Sequence, residues 1–79
     1  MSTALTFRYD RVGDILYIDT CPPYQGQDSE EVDDGVMARI NPTTEGIENL
    51  EILFFLTRLS QEGEFQVPVA GELRLAAKT

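Results

Sequence analysis

The side chains with chemistry to offer are carboxylates. Fourteen Asp and Glu stand against six Lys and Arg, histidine is absent, and Cys21 is the single cysteine. The densest acidic run is Asp28-Ser29-Glu30-Glu31-Val32-Asp33-Asp34. A run of this kind offers oxygen ligands to a hard cation such as calcium or magnesium. Its order departs from the EF-hand loop, which alternates its ligands and places Gly at the sixth position. On an unbulged strand Glu31 and Asp33 share one face while Glu30 and Asp34 share the other, so the ligands diverge. The run is expected to be a solvated segment that protects a sheet edge, and no metal site is assigned.

Asp10, Asp14 and Asp19 are candidates for acid/base work, which needs a cleft that drives two carboxylate pKa values apart. A thin sheet seldom encloses such a cleft. Asp10 and Asp14 also flank a turn, where Asp commonly bonds local backbone. A nucleophilic Cys21 would need a base or cation to hold its thiolate. With no histidine, and with Arg11 and Arg39 the nearest basic residues in sequence, it reads as a small loop residue. Ser29, Ser60 and the threonines lack a histidine partner as well, and neither a P-loop nor a dinucleotide fingerprint occurs. The expectation is a protein that is not an enzyme and carries no cofactor.

The chain has room for one small domain, residues 1–79, at 8.9 kDa. Its 42% hydrophobic content argues against wholesale disorder. The net charge of -8 and pI of about 4.2 disfavour nucleic acid and anionic membrane surfaces, which attract cationic side chains. The start, Met1-Ser2-Thr3-Ala4-Leu5-Thr6, lacks the basic and apolar regions of a signal peptide. The longest apolar run, Ile52-Leu53-Phe54-Phe55-Leu56, falls far short of the ~20 residues of a membrane helix. A cytoplasmic location is expected. A chain this short buries only roughly 60–65% of the surface it exposes when unfolded. One cysteine excludes an internal disulfide, and one thiol without imidazole is a poor zinc site. Oligomerisation remains, so a homodimer or a bound partner is expected.

Leu5, Phe7 and Tyr9 alternate with polar residues and predict a first strand at about 4–10. Gly13, free to take positive φ, is expected to turn it into a second strand at about 14–20, with Leu16 and Ile18 facing the core. Ile15 and Tyr17 make the other face unexpectedly apolar. Residues 20–28, with Pro22-Pro23, form a loop where mobility is expected to peak. A third strand is predicted at about 31–41, with Asp34-Gly35 as a bulge near its start. Asn41-Pro42-Thr43-Thr44-Glu45-Gly46 is a turn leading to a strand at about 46–53. Phe55, Leu56 and Leu59 then fall at helical spacing, predicting a helix at about 54–62 that ends at Gly63. Residues 65–75 read as an extended arm, since Pro68 excludes a central strand. The fold class expected is α+β: a small antiparallel β-meander of four to five strands with one short helix packed on one face.

Tyr9-Asp10, Gly13-Asp14-Ile15-Leu16-Tyr17-Ile18, Glu30-Glu31-Val32-Asp33-Asp34-Gly35-Val36, Gly46-Ile47 and Leu50-Glu51-Ile52-Leu53 follow one another in an order that resembles the small bacterial family catalogued as domain of unknown function 2283. The resemblance spans roughly residues 7–60. It implies a β-meander with a packed C-terminal helix, and no catalytic residues come with it. It also implies an antitoxin-like role as one option, because some members sit beside small toxin-like proteins. The chain departs from the family pattern at Asn41-Pro42-Thr43-Thr44, at the apolar Phe54-Phe55-Leu56, and in its Pro22-Pro23 loop.

Phe7, Tyr9, Tyr17, Phe54, Phe55 and Phe65 are too many rings for one face of a small sheet to hide. The helix and the arm cover them, or some form an interface. The candidate interface residues are Ile15, Tyr17, Met37, Phe54, Phe55 and Phe65. The arm is a further candidate for pairing with a neighbouring molecule's sheet edge. The function expected is a non-enzymatic protein-interaction module that self-associates, an antitoxin-like or regulatory partner of a basic protein. The alternative is a small carboxylate- or divalent-metal-dependent enzyme or ligand-binding protein.

Overall fold

Short alternating segments rich in β-branched and aromatic residues build five strands. They are β1 (Thr6–Asp10), β2 (Ile15–Asp19), β3 (Asp28–Asp33), β4 (Val36–Ile40) and β5 (Ile47–Leu53), and α1 (Phe55–Glu62) follows them. The computed structural model describes residues 4–76; residues 1–3 and 77–79, the ends of the predicted domain, lie outside the described residues. All five strands join one antiparallel sheet, so the α+β class with a single short helix is as expected.

The strand predicted over 31–41 is a hairpin instead. Asp33 pairs with Val36 across Asp34-Gly35, and the register shifts between Glu31 and Asp33. Asp-Gly between two strand-forming segments is a tight-turn signal, and Gly35 takes the φ of 73° that such a turn requires. The pairing was hidden because Asp28-Ser29-Glu30-Glu31 contains no apolar residue to reveal alternation. The strand order, β1-β2-β5-β4-β3, also departs from a strictly consecutive meander. β5 lies beside β2, and residues 20–27 pass the ends of β5 and β4 to reach β3 at the far edge.

Cross-strand partners share a face. Phe7, Ile18, Leu50 and Ala38 form one row, and Tyr9, Leu16, Ile52 and Val36 the next row on the same face. Arg8, Tyr17, Glu51 and Met37 form a row on the opposite face. Val36 and Ala38 are 0% exposed and Ile52 is 3% exposed, so the core sits where β4 meets β5. Helix α1 lies at the end of the sheet, and none of its residues is fully buried. Phe55 and Leu59 are half-buried, whereas Leu56, expected to face inward, is exposed. The helix ends at Gly63, as its position predicts, with the Gly63 N–H bonded to the Leu59 carbonyl at 2.7 Å. Residues 64–76 form no regular element, and Phe65, Val67 and Val69 are half-buried along them.

The molecule exposes 6175 Å². A compact monomer of its mass exposes roughly 4,800 Å². Its radius of gyration, 13.3 Å, also exceeds the roughly 11.6 Å of a compact chain of this length.

Candidate functional site

The conserving of backbone hydrogen bonds at the end of the sheet falls to two carboxylates. Asp10 does what a turn Asp does locally, its Oδ1 accepting the N–H groups of Val12 (3.0 Å) and Gly13 (3.1 Å). The left-handed turn position expected of Gly13 is occupied by Asp14, with φ 57°. A Cβ at Gly13 would lie 3.0 Å from Asp10 Oδ2 and 3.2 Å from Ile15 Cδ1, so a larger residue there would have to displace these two side-chain ends.

Asp14 acts across the fold. Its Oδ1 accepts from Tyr9 Oη at 2.6 Å and from the Leu56 N–H at 2.8 Å. Its Oδ2 accepts from Thr57 Oγ1 at 2.7 Å and from the Thr57 N–H at 3.3 Å. Its carbonyl accepts the Phe55 N–H at 3.0 Å. Phe54, at the N-cap of α1, offers no side-chain cap, so a carboxylate from the β1–β2 turn satisfies the first helical N–H groups. The Tyr9 bond, followed by that of Thr57, holds the Asp14 carboxyl down at about 2. The same bond pushes the Tyr9 phenol up to about 12. This Asp clasps the β1–β2 turn to strand β1 and to the helix, with both oxygens engaged by donors.

A second polar group closes the opposite end. Asn49 is 2% exposed. Its Nδ2 donates to Asp19 Oδ1 at 2.9 Å and to the Cys21 carbonyl at 2.7 Å, and its Oδ1 accepts from Gln27 Nε2 at 2.8 Å. Glu48, at the register shift opposite Arg39 and Ile40, accepts from Tyr24 Oη at 2.7 Å, Gln27 Nε2 at 3.0 Å and Asn41 Nδ2 at 3.3 Å. These bonds, that of Tyr24 foremost, lower the Glu48 carboxyl, and the bond to Glu48 pushes Tyr24 up to about 12. Residues 20–27, expected to be the most mobile stretch, are tied to β5 by this network.

The acidic run does not converge. Glu31 Oε2 accepts the Gly35 N–H at 3.4 Å and Asp33 Oδ1 accepts the Asp34 N–H at 2.8 Å. Asp28 and Glu30 line a separate shallow cavity with Asn41 and Glu45. Among the described residues, no three Cys, Asp or Glu side chains gather as metal ligands would. Nor is any helix there long and apolar enough to cross a membrane.

A second open surface is apolar. On the face that carries Phe7, the side chains of Leu5, Phe7, Ile18, Ile47 and Leu50 border a groove of about 450 Å³, whose other wall is residues 69–73 of the arm. Phe7 is 62% exposed, Leu5 41% and Ile47 40%.

The candidate interface residues divide between surfaces. Ile15, Tyr17 and Met37 lie half-buried on the opposite face, with the Arg8 guanidinium 4.1 Å over the Tyr17 ring. Arg39 Nη2 donates to Glu51 Oε1 at 3.2 Å within that face. Phe55 and Phe65 belong to an edge-to-face cluster with Tyr9, at ring separations of 6.2 Å for Tyr9–Phe55 and 5.6 Å for Phe55–Phe65. Phe54 is 58% exposed at the strand–helix junction. Leu5, Phe7, Ile47 and Leu73, which border the groove, were not among the candidate interface residues. The alternation of Leu73-Arg74-Leu75 was the available signal, but nothing local says that an arm crosses a sheet face.

The fold defines an α+β protein whose five-stranded sheet is locked at both ends by polar clasps and open along one apolar face. A model of the family described as a protein of unknown function (DUF2283) matches residues 6–55, and the chain belongs to that family. The match takes in all five strands and stops at the first residue of α1; the rest of the helix and the arm lie beyond it. No curated protein and no solved structure matches the chain.

Proposed function

We propose that this chain is a non-enzymatic protein-interaction module that self-associates through the sheet face bearing Phe7. The observation that carries this reading is the open apolar groove beside Phe7, on a sheet whose buried hydrophobic core, among the described residues, is Val36, Ala38 and Ile52. Apolar patches of this kind mark association sites. The chain exposes about 1,400 Å² more than a compact monomer of its mass, the irregular residues 64–76 contributing to the excess. Association with a basic protein, in an antitoxin-like or regulatory role, belongs to the same reading. It is supported by the net charge of -8 and by the exposed Asp28, Glu30, Glu31 and Asp33 on edge strand β3.

Light scattering coupled to size exclusion at micromolar concentration tests self-association. The expected mass is twice the 8.9 kDa of one chain. Phe7→Asp, on an edge strand and largely exposed, is expected to give the single-chain mass with an unchanged circular dichroism spectrum. A monomeric parent protein sinks the reading.

A further inference from the structure

We infer that the groove is filled by the C-terminal arm of a second copy, each protomer laying Leu73 and Leu75 against Phe7 and Ile47 of the other. The inference rests on the self-association proposed above and names the segment responsible for it. Leu73 and Leu75 are 87% and 95% exposed, the two most exposed leucines among the described residues. They are separated by Arg74, so an extended backbone presents both on one side. The arm walls its own groove over residues 69–73, ending at Leu73, which stays 87% exposed, and Leu75 lies beyond the groove. A copy docked on this face by a two-fold axis therefore meets both the open groove and the exposed side chains of Leu73 and Leu75, and the contact is reciprocal.

Charge opposes docking of this segment less than docking of the acidic body. Residues 65–79 contain one acidic and two basic side chains, whereas residues 1–64 contain thirteen acidic and four basic. Glu72 and Arg74 pair with each other at 3.1 Å, so the arm is nearly neutral and escapes the repulsion between two acidic bodies. Strand β1, which carries Phe7 and runs next to Leu5, is a sheet edge, so an arm laid there also finds unpaired backbone groups.

The test compares the full-length parent with Leu73→Asp/Leu75→Asp and with Val12→Asp. Val12 is 99% exposed on the β1–β2 turn, which makes its variant a control for added charge. The double variant is expected to self-associate about 100-fold more weakly or worse, by loss of two buried leucines, with an unchanged circular dichroism spectrum. Val12→Asp is expected to remain dimeric. In a mixture of isotope-labelled and unlabelled chains, contacts between the Leu73 and Leu75 methyl groups and the Phe7 ring are expected between chains. A dimer that survives the double substitution, or one lost equally in Val12→Asp, overturns the arm while leaving the sheet-face reading intact. So does finding those methyl contacts within one chain alone. A monomeric parent overturns both.

Discussion

Asp14 is the side chain on which the most elements depend, because four donors from β1 and α1 meet on its two oxygens. Asp14→Asn keeps the shape and removes the charge that favours a helix N-terminus. It is expected to lower the melting temperature by several degrees, to expose the Leu56 and Thr57 amides to hydrogen exchange, and to return the Tyr9 phenol toward its ordinary value. The pH dependence follows from the same bonds. Asp14 and Glu48 have lowered pKa values in the fold, so their contribution is complete above the ordinary carboxylate range. It fades as pH falls through that range, and Asp14's share is lost toward about 2. Tyr9 and Tyr24 have raised values, so theirs is complete below the ordinary tyrosine value near 10 and is lost as pH climbs to about 12. A plot of melting temperature against pH is expected to be flat between these windows and to fall on both sides. Phe at position 9 or 24 should remove part of the alkaline limb in a tyrosinate absorbance titration. Asn49→Leu strands Gln27, Asp19 and the Cys21 carbonyl without their partner, and urea unfolding is expected to show a loss of about 1–3 kcal/mol.

Between elements, the β3–β4 turn meets α1 at a close contact between Gly35 and Arg58. Gly35 combines a φ of 73° with a position where a Cβ would run into the Arg58 guanidinium, which itself donates to the Asp34 carbonyl. Gly35→Ala is expected to destabilise the protein by about 1–2 kcal/mol from backbone strain alone, with the clash adding to it. In an Arg58→Ala background the same substitution should cost less, and a double-mutant cycle by urea unfolding measures the difference. Most of the strands could be read from alternation in the sequence: Phe7 and Tyr9, Leu16 and Ile18, Leu50 and Ile52 all fall on the face that carries the core. The hairpin between β3 and β4 could not, since an edge strand that faces water on both sides has no apolar period. The remote capping of α1 was equally hidden, because its donors and acceptor lie more than 40 residues apart in sequence.

On the scale of the whole molecule, the proposed dimer gains stability by covering an apolar face of a sheet that has few fully buried side chains among the described residues. Linkage makes this measurable: a dimer that unfolds to monomers gains stability with concentration. The melting temperature of the parent is expected to rise by a few degrees when chain concentration is raised by an order of magnitude. Leu73→Asp/Leu75→Asp is expected to melt at a lower temperature that does not depend on concentration. A concentration-independent parent would place the whole of the stability within one chain.

Composition and period by themselves determined the α+β class, most of the strand and helix positions, the end of the helix at Gly63, and the lack of histidine-based chemistry. These depend on interactions between residues near one another in the chain, or on counts that no fold alters. Tertiary structure alone decided that β5 lies beside β2, that Asp14 caps a distant helix, that Asn49 is buried under residues 20–27, and that the arm borders a groove on the Phe7 face. Each of these depends on which segments meet across long stretches of chain, and pairings of that kind leave no periodic trace in the residues that make them.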